Sequence, residues 1–139
     1  MATDKKETGR LGEDIASDFL REKGYRILEQ NAYVRHGEID LVAQTGDALV
    51  FVEVKTRHAE KGQRTPYGAP ADAVDRRKQE NLVRSAEEYL KRHTELHELY
   101  PRIDVIEVYL NQNDTPTAVE HYENAVRKRY LKRNDRGAF

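Results

Sequence analysis

Ionisable side chains, with Asp40, Glu53 and Lys55 among them, lie inside two short segments that otherwise have the composition of buried β-strands. The first segment is Gly37-Glu38-Ile39-Asp40-Leu41-Val42-Ala43, and the second is Val50-Phe51-Val52-Glu53-Val54-Lys55. An unpaired carboxylate or ammonium in an apolar setting costs several kcal/mol. We therefore expect Asp40, Glu53 and Lys55 to be paired, to be solvated in a cleft, or to hold a metal ion.

The spacing of these residues indicates which chemistry they could perform together. Alternate side chains of a strand share a face, which places Glu53 beside Lys55, and a tight hairpin at Thr45-Gly46-Asp47 would bring Asp40 alongside Glu53. Two close carboxylates repel each other unless a cation lies between them, and hard oxygen ligands select Mg²⁺ or Mn²⁺. Lys55 could then orient or deprotonate a water, or stabilise charge on a phosphate, as metal-assisted phosphodiester hydrolysis requires.

A second interpretation of the same residues needs no metal. Glu-x-Lys is a common tripeptide in a chain of which 35% is charged. Asp40, Glu53 and Lys55 could form ion pairs on a solvated face of the sheet. The β-branched residues around the carboxylates favour an inward orientation, and both interpretations stay open on the strands alone.

The elements that must position these residues follow from hydrophobic periodicity and turn signals. Asp4 and Glu7 have the spacing of a capping box ahead of an apolar helical stripe, and Gly24 is a helix stop. The pattern predicts two helices, at 5–23 and 73–93, and strands at 25–35, 38–44, 48–56, 103–110 and 118–122. Pro101 is interpreted as a break after the second helix. The composition of residues 58–72 indicates a loop.

Length and composition limit the class of protein. The 139 residues suffice for one domain, which we place at 1–125, followed by a tail at 126–139. The net charge of −1 conceals a bipolar distribution, since residues 125–139 hold 6 basic groups and 1 acidic group. The absence of cysteine excludes disulfides and thiolate zinc sites. With no secretion signal or apolar run of membrane-spanning length, we expect a cytoplasmic protein with no membrane partner.

Several motifs together resemble one known family. They are Gly9-Arg10-Leu11-Gly12-Glu13, Asn31, the Gly37–Ala43 strand, the strand Phe51-Val52-Glu53-Val54-Lys55-Thr56-Arg57, the Lys78 helix and Arg102-Ile103-Asp104-Val105-Ile106. Across most of residues 9–110 the chain resembles the YraN-type family of small bacterial proteins. That family's pattern is related to archaeal Holliday-junction resolvases and to the PD-(D/E)XK nuclease superfamily. The resemblance implies an α/β, restriction-endonuclease-like fold with a central mixed β-sheet flanked by helices.

The resemblance also implies roles for individual residues. Asp40 and Glu53 would be ligands of Mg²⁺ or Mn²⁺, Lys55 the catalytic lysine, and Glu13 an additional acidic residue from the first helix. The Gln-x-x-x-Tyr element of RecB-like nucleases is not matched, since Val83 stands at the fourth position after Gln79. The resolvase-like branch is therefore the closer comparison. By analogy with resolvases, the chain could form a homodimer.

Basic residues supply candidate contacts to nucleic acid. Arg57 and Lys78 lie within the matched motifs, and Arg127, Lys128 and Arg129 begin a concentrated basic run in the tail. Each phosphate contact of this kind would add salt-dependent affinity. A solvated helix face and an inert tail explain the same charges without a ligand.

The expected function is a metal-dependent nuclease that acts on DNA, with branched or otherwise structured DNA as the candidate substrate. One alternative is a non-catalytic nucleic-acid-binding module or a subunit of a DNA-processing assembly. A third is an interaction protein whose acidic residues are paired internally. Because folds do not determine functions, the site itself must distinguish among them.

Overall fold

The computed structural model describes residues 5–35, 37–59 and 76–126. Over these residues the chain forms two α-helices, one 3₁₀ helix and five strands, in the order that the sequence predicts. Their bounds are α1 Lys5–Glu22, β1 Arg26–Val34, β2 Gly37–Thr45, β3 Ala48–His58, α2 Arg76–Arg92, the 3₁₀ helix Thr94–Leu96, β4 Tyr100–Leu110 and β5 Pro116–Tyr122.

The five strands form one mixed sheet in the order β1-β2-β3-β4-β5. The β1–β2 and β2–β3 pairs are antiparallel, the β3–β4 pair is parallel, and the β4–β5 pair is antiparallel. The parallel pair needs a crossover, and α2 lies in that connection. The predicted α/β class, with a central mixed sheet flanked by helices, is confirmed.

The residues of β3 alternate between two apolar layers, as their spacing predicts. Val50 and Val52 pack with Ala16 and Leu20 of α1 on one face of the sheet. Leu49 and Phe51 pack with Leu82, Val83 and Ala86 of α2 on the other face. By the same alternation, Glu53 and Lys55 belong to the α2 face.

A close approach between Gly12 and Thr56 sets the position of α1 over the sheet. A methyl group added at Gly12 would overlap Thr56 Oγ1 and lie 2.9 Å from Thr56 Cβ. The helix can therefore approach β3 this closely only because Gly12 has no side chain. Glu13 follows immediately, so this approach also brings its carboxylate toward the sheet.

The strand β4 begins earlier than the sequence predicts, and Pro101 lies inside it instead of marking a break. The N–H of Tyr100 donates to the carbonyl of Asp47 at 2.7 Å, on the β3 side. The next nitrogen, that of Pro101, therefore faces the opposite edge, where pairing with β5 begins only at Val105. A residue without an N–H loses no ladder bond there.

Neither described helix combines the length and the apolar character that crossing a membrane requires.

Candidate metal centre

Asp40 lies where the pairing of β2 with β3 ends. The paired register runs from Thr45 and Ala48 at the turn to Leu41 and Val52. Just beyond that pair, the N–H of Val54 donates to Asp40 Oδ2 at 2.8 Å. A side-chain carboxylate thus binds the backbone group at the end of the ladder, and this bond fixes the position of Asp40 between the two strands.

Three carboxylates converge at this point. Glu13 of α1, and Glu38 and Asp40 of β2, each present an oxygen that lies within 4.8 Å of the other two. Carboxylate oxygens are hard ligands, so the set suits Mg²⁺, Mn²⁺ or Ca²⁺ better than a soft metal. The predicted role of Glu13 as an additional acidic residue at the site thus has a geometric basis.

The second predicted ligand, Glu53, reaches the same region from the α2 face. It is only 8% exposed, and its Oε2 lies 3.5 Å from Lys78 Nζ. Lys55, two residues further along β3, is half-buried on the same face. Glu53 is not a member of the three-carboxylate set, but its charge acts on both Asp40 and Glu13.

The mutual repulsion of the carboxylates is clearest at Asp40. Burial and the nearby charge of Glu53 raise the pKa of Asp40 from 3.8 to about 8, and Glu13 adds to the rise. The Val54 N–H and the ammonium of Lys78 act in the opposite direction but do not compensate. The protein alone does not neutralise this group, as a bound cation would.

Glu13 likewise lacks enough positive charge or hydrogen-bond donors around its carboxylate. Burial raises its pKa, a hydrogen bond with Asn31 opposes the rise, and the charges of Glu38 and Glu53 increase it. Its Oε1 is buried and has no hydrogen-bond partner among the described residues. A buried carboxylate oxygen without a donor is costly, which makes it a candidate for an external ligand.

Asn31 and Glu38 are contributors that sequence reasoning did not assign to the site. Asn31 has a φ of 56°, in the left-handed region that asparagine tolerates better than most residues. It lies between the paired residues Gln30–Leu41 and Ala32–Ile39, and therefore opposite Asp40. The sequence could have indicated both residues, because Asn31 is one of the matched motif positions and Glu38 is two residues before Asp40 on the same strand.

Arg57, predicted to contact nucleic acid, is largely enclosed. Its Nε lies 2.6 Å from Oε2 of Glu107, and its side chain is 13% exposed. The hydroxyl of Tyr109 also donates to Glu107. Arg57 thus compensates a buried carboxylate of β4, and its contact with nucleic acid stays a prediction.

Unlike Arg57, Lys78 is half-exposed, and it lies beside the carboxylate of Glu53. Arg127, Lys128 and Arg129 lie outside the described residues, so their role stays a prediction.

The comparisons with known proteins agree on one family. The model of the uncharacterised protein family UPF0102 matches residues 12–108. The chain belongs to this family. It is 43% identical over 113 residues to a UPF0102 protein of Dehalococcoides mccartyi, which covers 81% of this chain and 88% of that protein. The UPF0102 protein of Caldanaerobacter subterraneus is 43% identical over 122 residues, with 87% and 95% covered.

A solved structure of SfsA from Pyrococcus furiosus in complex with Ca²⁺ was also found, with 14% sequence identity and a TM-score of 0.38. The match covers 86% of this chain and 64% of that longer one.

The family assignment confirms the resemblance inferred from the motifs. The segment matched by the UPF0102 model contains the whole carboxylate cluster together with Glu53, Lys55 and Lys78. The basic tail lies beyond the matched segment.

Proposed function

We propose that this UPF0102 protein is a nuclease that requires Mg²⁺ or Mn²⁺ and hydrolyses phosphodiester bonds in DNA. The observation that carries the proposal is the convergence of Glu13, Glu38 and Asp40 within 4.8 Å. The cluster lies at a strand end, beside the further carboxylate of Glu53 and two lysines. Carboxylates and a lysine are the parts of a PD-(D/E)XK site, and the mixed α/β sheet is compatible with a restriction-endonuclease-like fold.

The residues present fit a hard divalent cation. Every candidate ligand is a carboxylate, Glu13 Oε1 has no donor among the described residues, and the pKa of Asp40 is raised by uncompensated negative charge. Asp40 and Glu53 would hold the cation, with Glu13 and Glu38 as additional oxygen ligands. A bound Mg²⁺ or Mn²⁺ supplies Lewis-acid polarisation of the phosphate and lowers the pKa of a bound water.

The two lysines have separate tasks in this proposal. Lys55 shares a strand face with Glu53 and acts on the attacking water or on the negative charge that develops on the phosphate. Lys78 balances Glu53 in the free protein. With a cation held by the carboxylates, Glu53 would no longer need Lys78 as its counter-charge, and the Lys78 ammonium would be available to contact a DNA phosphate.

The finer features of the proposal concern partners. Branched or structured DNA is the proposed substrate class, by analogy with resolvases, and the same analogy supports a homodimer. The basic run that begins at Arg127 would add phosphate contacts. A cytoplasmic location agrees with a chain that has no cysteine.

The test is cleavage of linear, flapped and four-way DNAs by purified protein in Mg²⁺, in Mn²⁺ and in chelator. We expect cleavage that needs the metal and is abolished in Asp40→Asn, which keeps the shape of the side chain but removes its charge. Asp47→Asn is the matched control, because Asp47 is an exposed residue at the turn of the same hairpin. If the wild type leaves every DNA intact with either metal, the proposal is wrong.

A non-catalytic DNA-binding module is the second candidate, and the ion pair between Lys78 and Glu53 favours it. That pair neutralises one acidic group of the cluster without a metal. This candidate predicts that the wild type binds DNA and does not cleave it with Mg²⁺ or with Mn²⁺. Binding and cleavage measured on the same DNAs therefore distinguish the two.

A further inference from the structure

Tyr33 is one of two large hydrophobic side chains that are strongly exposed among the described residues. It is 76% exposed on the edge strand β1, whereas Tyr100 is 70% exposed at the start of β4. A single exposed aromatic residue is ordinary on a protein surface. The position of Tyr33 relative to the carboxylate cluster distinguishes it from Tyr100.

Tyr33 stands directly opposite Glu38 in the β1–β2 register. Side chains opposite each other in an antiparallel pair share a face, with Cβ atoms about 5 Å apart. The neighbours of Tyr33 confirm the face, since Ala32 and Val34 pack into the α2 layer and Tyr33 therefore points to the α1 side. Glu38 is a member of the carboxylate cluster, and so the phenol ring flanks that cluster on the α1 side.

Tyr100 lies at the other end of the sheet. It is opposite Ala48, at the start of β3, whereas Glu53 lies five residues further along that strand. At about 3.3 Å per residue, the separation along the strand is roughly 16 Å. The two tyrosines thus have similar exposure but different distances from the site, which makes Tyr100 a matched control.

We infer that Tyr33 is a stacking platform for an unpaired base of DNA whose backbone lies at the carboxylate cluster. This inference rests on the proposed nuclease function and specifies its substrate class. Every base has an aromatic face, so stacking on a tyrosine ring is sequence-tolerant. In a continuous duplex the bases already stack on one another, whereas a flap or junction offers a base that is free to leave the stack.

Two features of the surroundings agree with this role. The ring projects from an edge strand, so a nucleic acid can approach it without displacing another strand. Arg35, two residues after Tyr33 and exposed just beyond the end of β1, is a positive charge for the backbone that accompanies the base. The acidic cluster alone would repel DNA, and a stacked base at its border compensates in part for that repulsion.

The experiment measures binding of fluorescein-labelled flap DNA and of matched duplex DNA in Ca²⁺, with gels confirming that the DNA stays intact. We expect Tyr33→Ala to weaken flap binding by about tenfold or more and to leave duplex binding nearly unchanged. Tyr33→Phe should retain the wild-type preference, because the phenyl ring still stacks. Tyr100→Ala should bind both DNAs as the wild type does.

A second readout reports stacking itself. A 2-aminopurine placed at the unpaired position should lose fluorescence on binding to the wild type, Tyr33→Phe and Tyr100→Ala, but not to Tyr33→Ala. Equal weakening of flap and duplex binding by Tyr33→Ala, or unchanged quenching, would overturn the inference. Wild-type cleavage is measured separately. If the wild type cleaves DNA and Tyr33→Ala changes neither flap binding nor quenching, only this inference is refuted. If the wild type does not cleave DNA, the proposed function is refuted.

Discussion

Asp104, which is fully buried, and Asp40, which is half-buried, lie in strands of one sheet and have opposite electrostatic environments. Burial acts to raise the pKa of Asp104, but hydrogen bonds from His121, Arg102 and the Asn124 N–H outweigh it, and the pKa is lowered. At Asp40, burial and the charge of Glu53 act together, and the pKa rises. The protein satisfies one carboxylate internally and leaves the other short of positive charge.

The geometry explains the difference. Both carboxylate oxygens of Asp104 accept bonds from the Arg102 guanidinium, each at 2.9 Å. His121 and the Asn124 N–H add contacts of 2.7 and 2.8 Å. Asp40 receives the Val54 N–H and otherwise faces acidic neighbours. A buried carboxylate with a full set of donors is structural, whereas one that faces other carboxylates is suited to bind a cation.

The largest effect should follow from breaking the satisfied site. Asp104→Ala removes the acceptor of Arg102 Nε and of His121 Nε2 near the core. The terminal nitrogen of Arg102 keeps Tyr25 as an acceptor, so the loss falls on the Nε–H and on the imidazole. We expect the free energy of unfolding to fall by on the order of 3 kcal/mol in urea titrations at pH 7. Asp47→Ala, at an exposed turn, should change it little. A loss below about 1 kcal/mol would mean that the network contributes far less than its contacts suggest.

The next effect concerns catalysis at the unsatisfied site. Lys55→Ala should leave Mn²⁺ affinity and DNA binding intact, because the carboxylates remain, but lower single-turnover cleavage by a factor on the order of a hundred or more. Lys55→Arg should rescue little, since a guanidinium stays protonated and has a different shape. Cleavage of the best substrate at the wild-type rate by Lys55→Ala would reassign Lys55 to an ion-pair role.

The pH dependence of stability should also separate the two aspartates. Burial and the charge of Glu53 raise the pKa of Asp40 from 3.8, its value in an unfolded chain, to about 8 in the folded protein. Between these values the folded state keeps a proton that the unfolded chain has released, so stability contributed by Asp40 falls as the pH rises. Asp104, with its lowered pKa, contributes stability above pH 3.8 that is lost only as the pH falls through its lower folded pKa.

Asp40→Asn tests this directly. The variant removes the repelled charge, so metal-free protein should gain stability at pH 8, on the order of 2 kcal/mol, and the decline between pH 5 and 8 should flatten. Thermal unfolding across this range measures it. Added Mn²⁺ should raise the melting temperature of the wild type but hardly that of the variant. An equal Mn²⁺ effect on both proteins would contradict a metal site at Asp40.

The sequence predicts which residues lie on each face of the sheet more readily than it predicts which charged groups surround a given aspartate. The alternation of Leu49, Phe51 and Glu53 against Val50 and Val52 is a local property, and the structure confirms it. Whether a strand aspartate meets donors or acids depends in part on residues far away in the chain. The charge that most raises the pKa of Asp40 is that of Glu53, which the hairpin spacing does predict. The histidine of β5 that satisfies Asp104 and the smaller effect of Glu13 from α1 come from distant segments, and local spacing reports neither.

Two further contacts at the site, those of Asn31 and Lys78, depend on backbone geometry that the sequence pattern does not predict. Asn31, which lies opposite Asp40, has a left-handed backbone conformation, and its side chain forms a hydrogen bond with Glu13. The pairing of Lys78 with Glu53 depends on how the crossover returns α2 to the sheet. Periodicity predicts that these elements exist, but it does not predict how their ends align.

The smallest effect should come from two glycines of the same helix. Gly12→Ala would press a methyl group into Thr56 and lift α1 from β3, at a cost of about 1–3 kcal/mol in urea unfolding. Gly9→Ala meets nothing within 4 Å, so it should stabilise the helix by about 0.5–1 kcal/mol. The displacement in Gly12→Ala carries Glu13 away from Asp40, which should weaken Mn²⁺ binding and reduce the fall in stability between pH 5 and 8. Calorimetry with Mn²⁺ on both variants checks this, and equal affinities would show that Glu13 acts on Asp40 without depending on the close approach of α1.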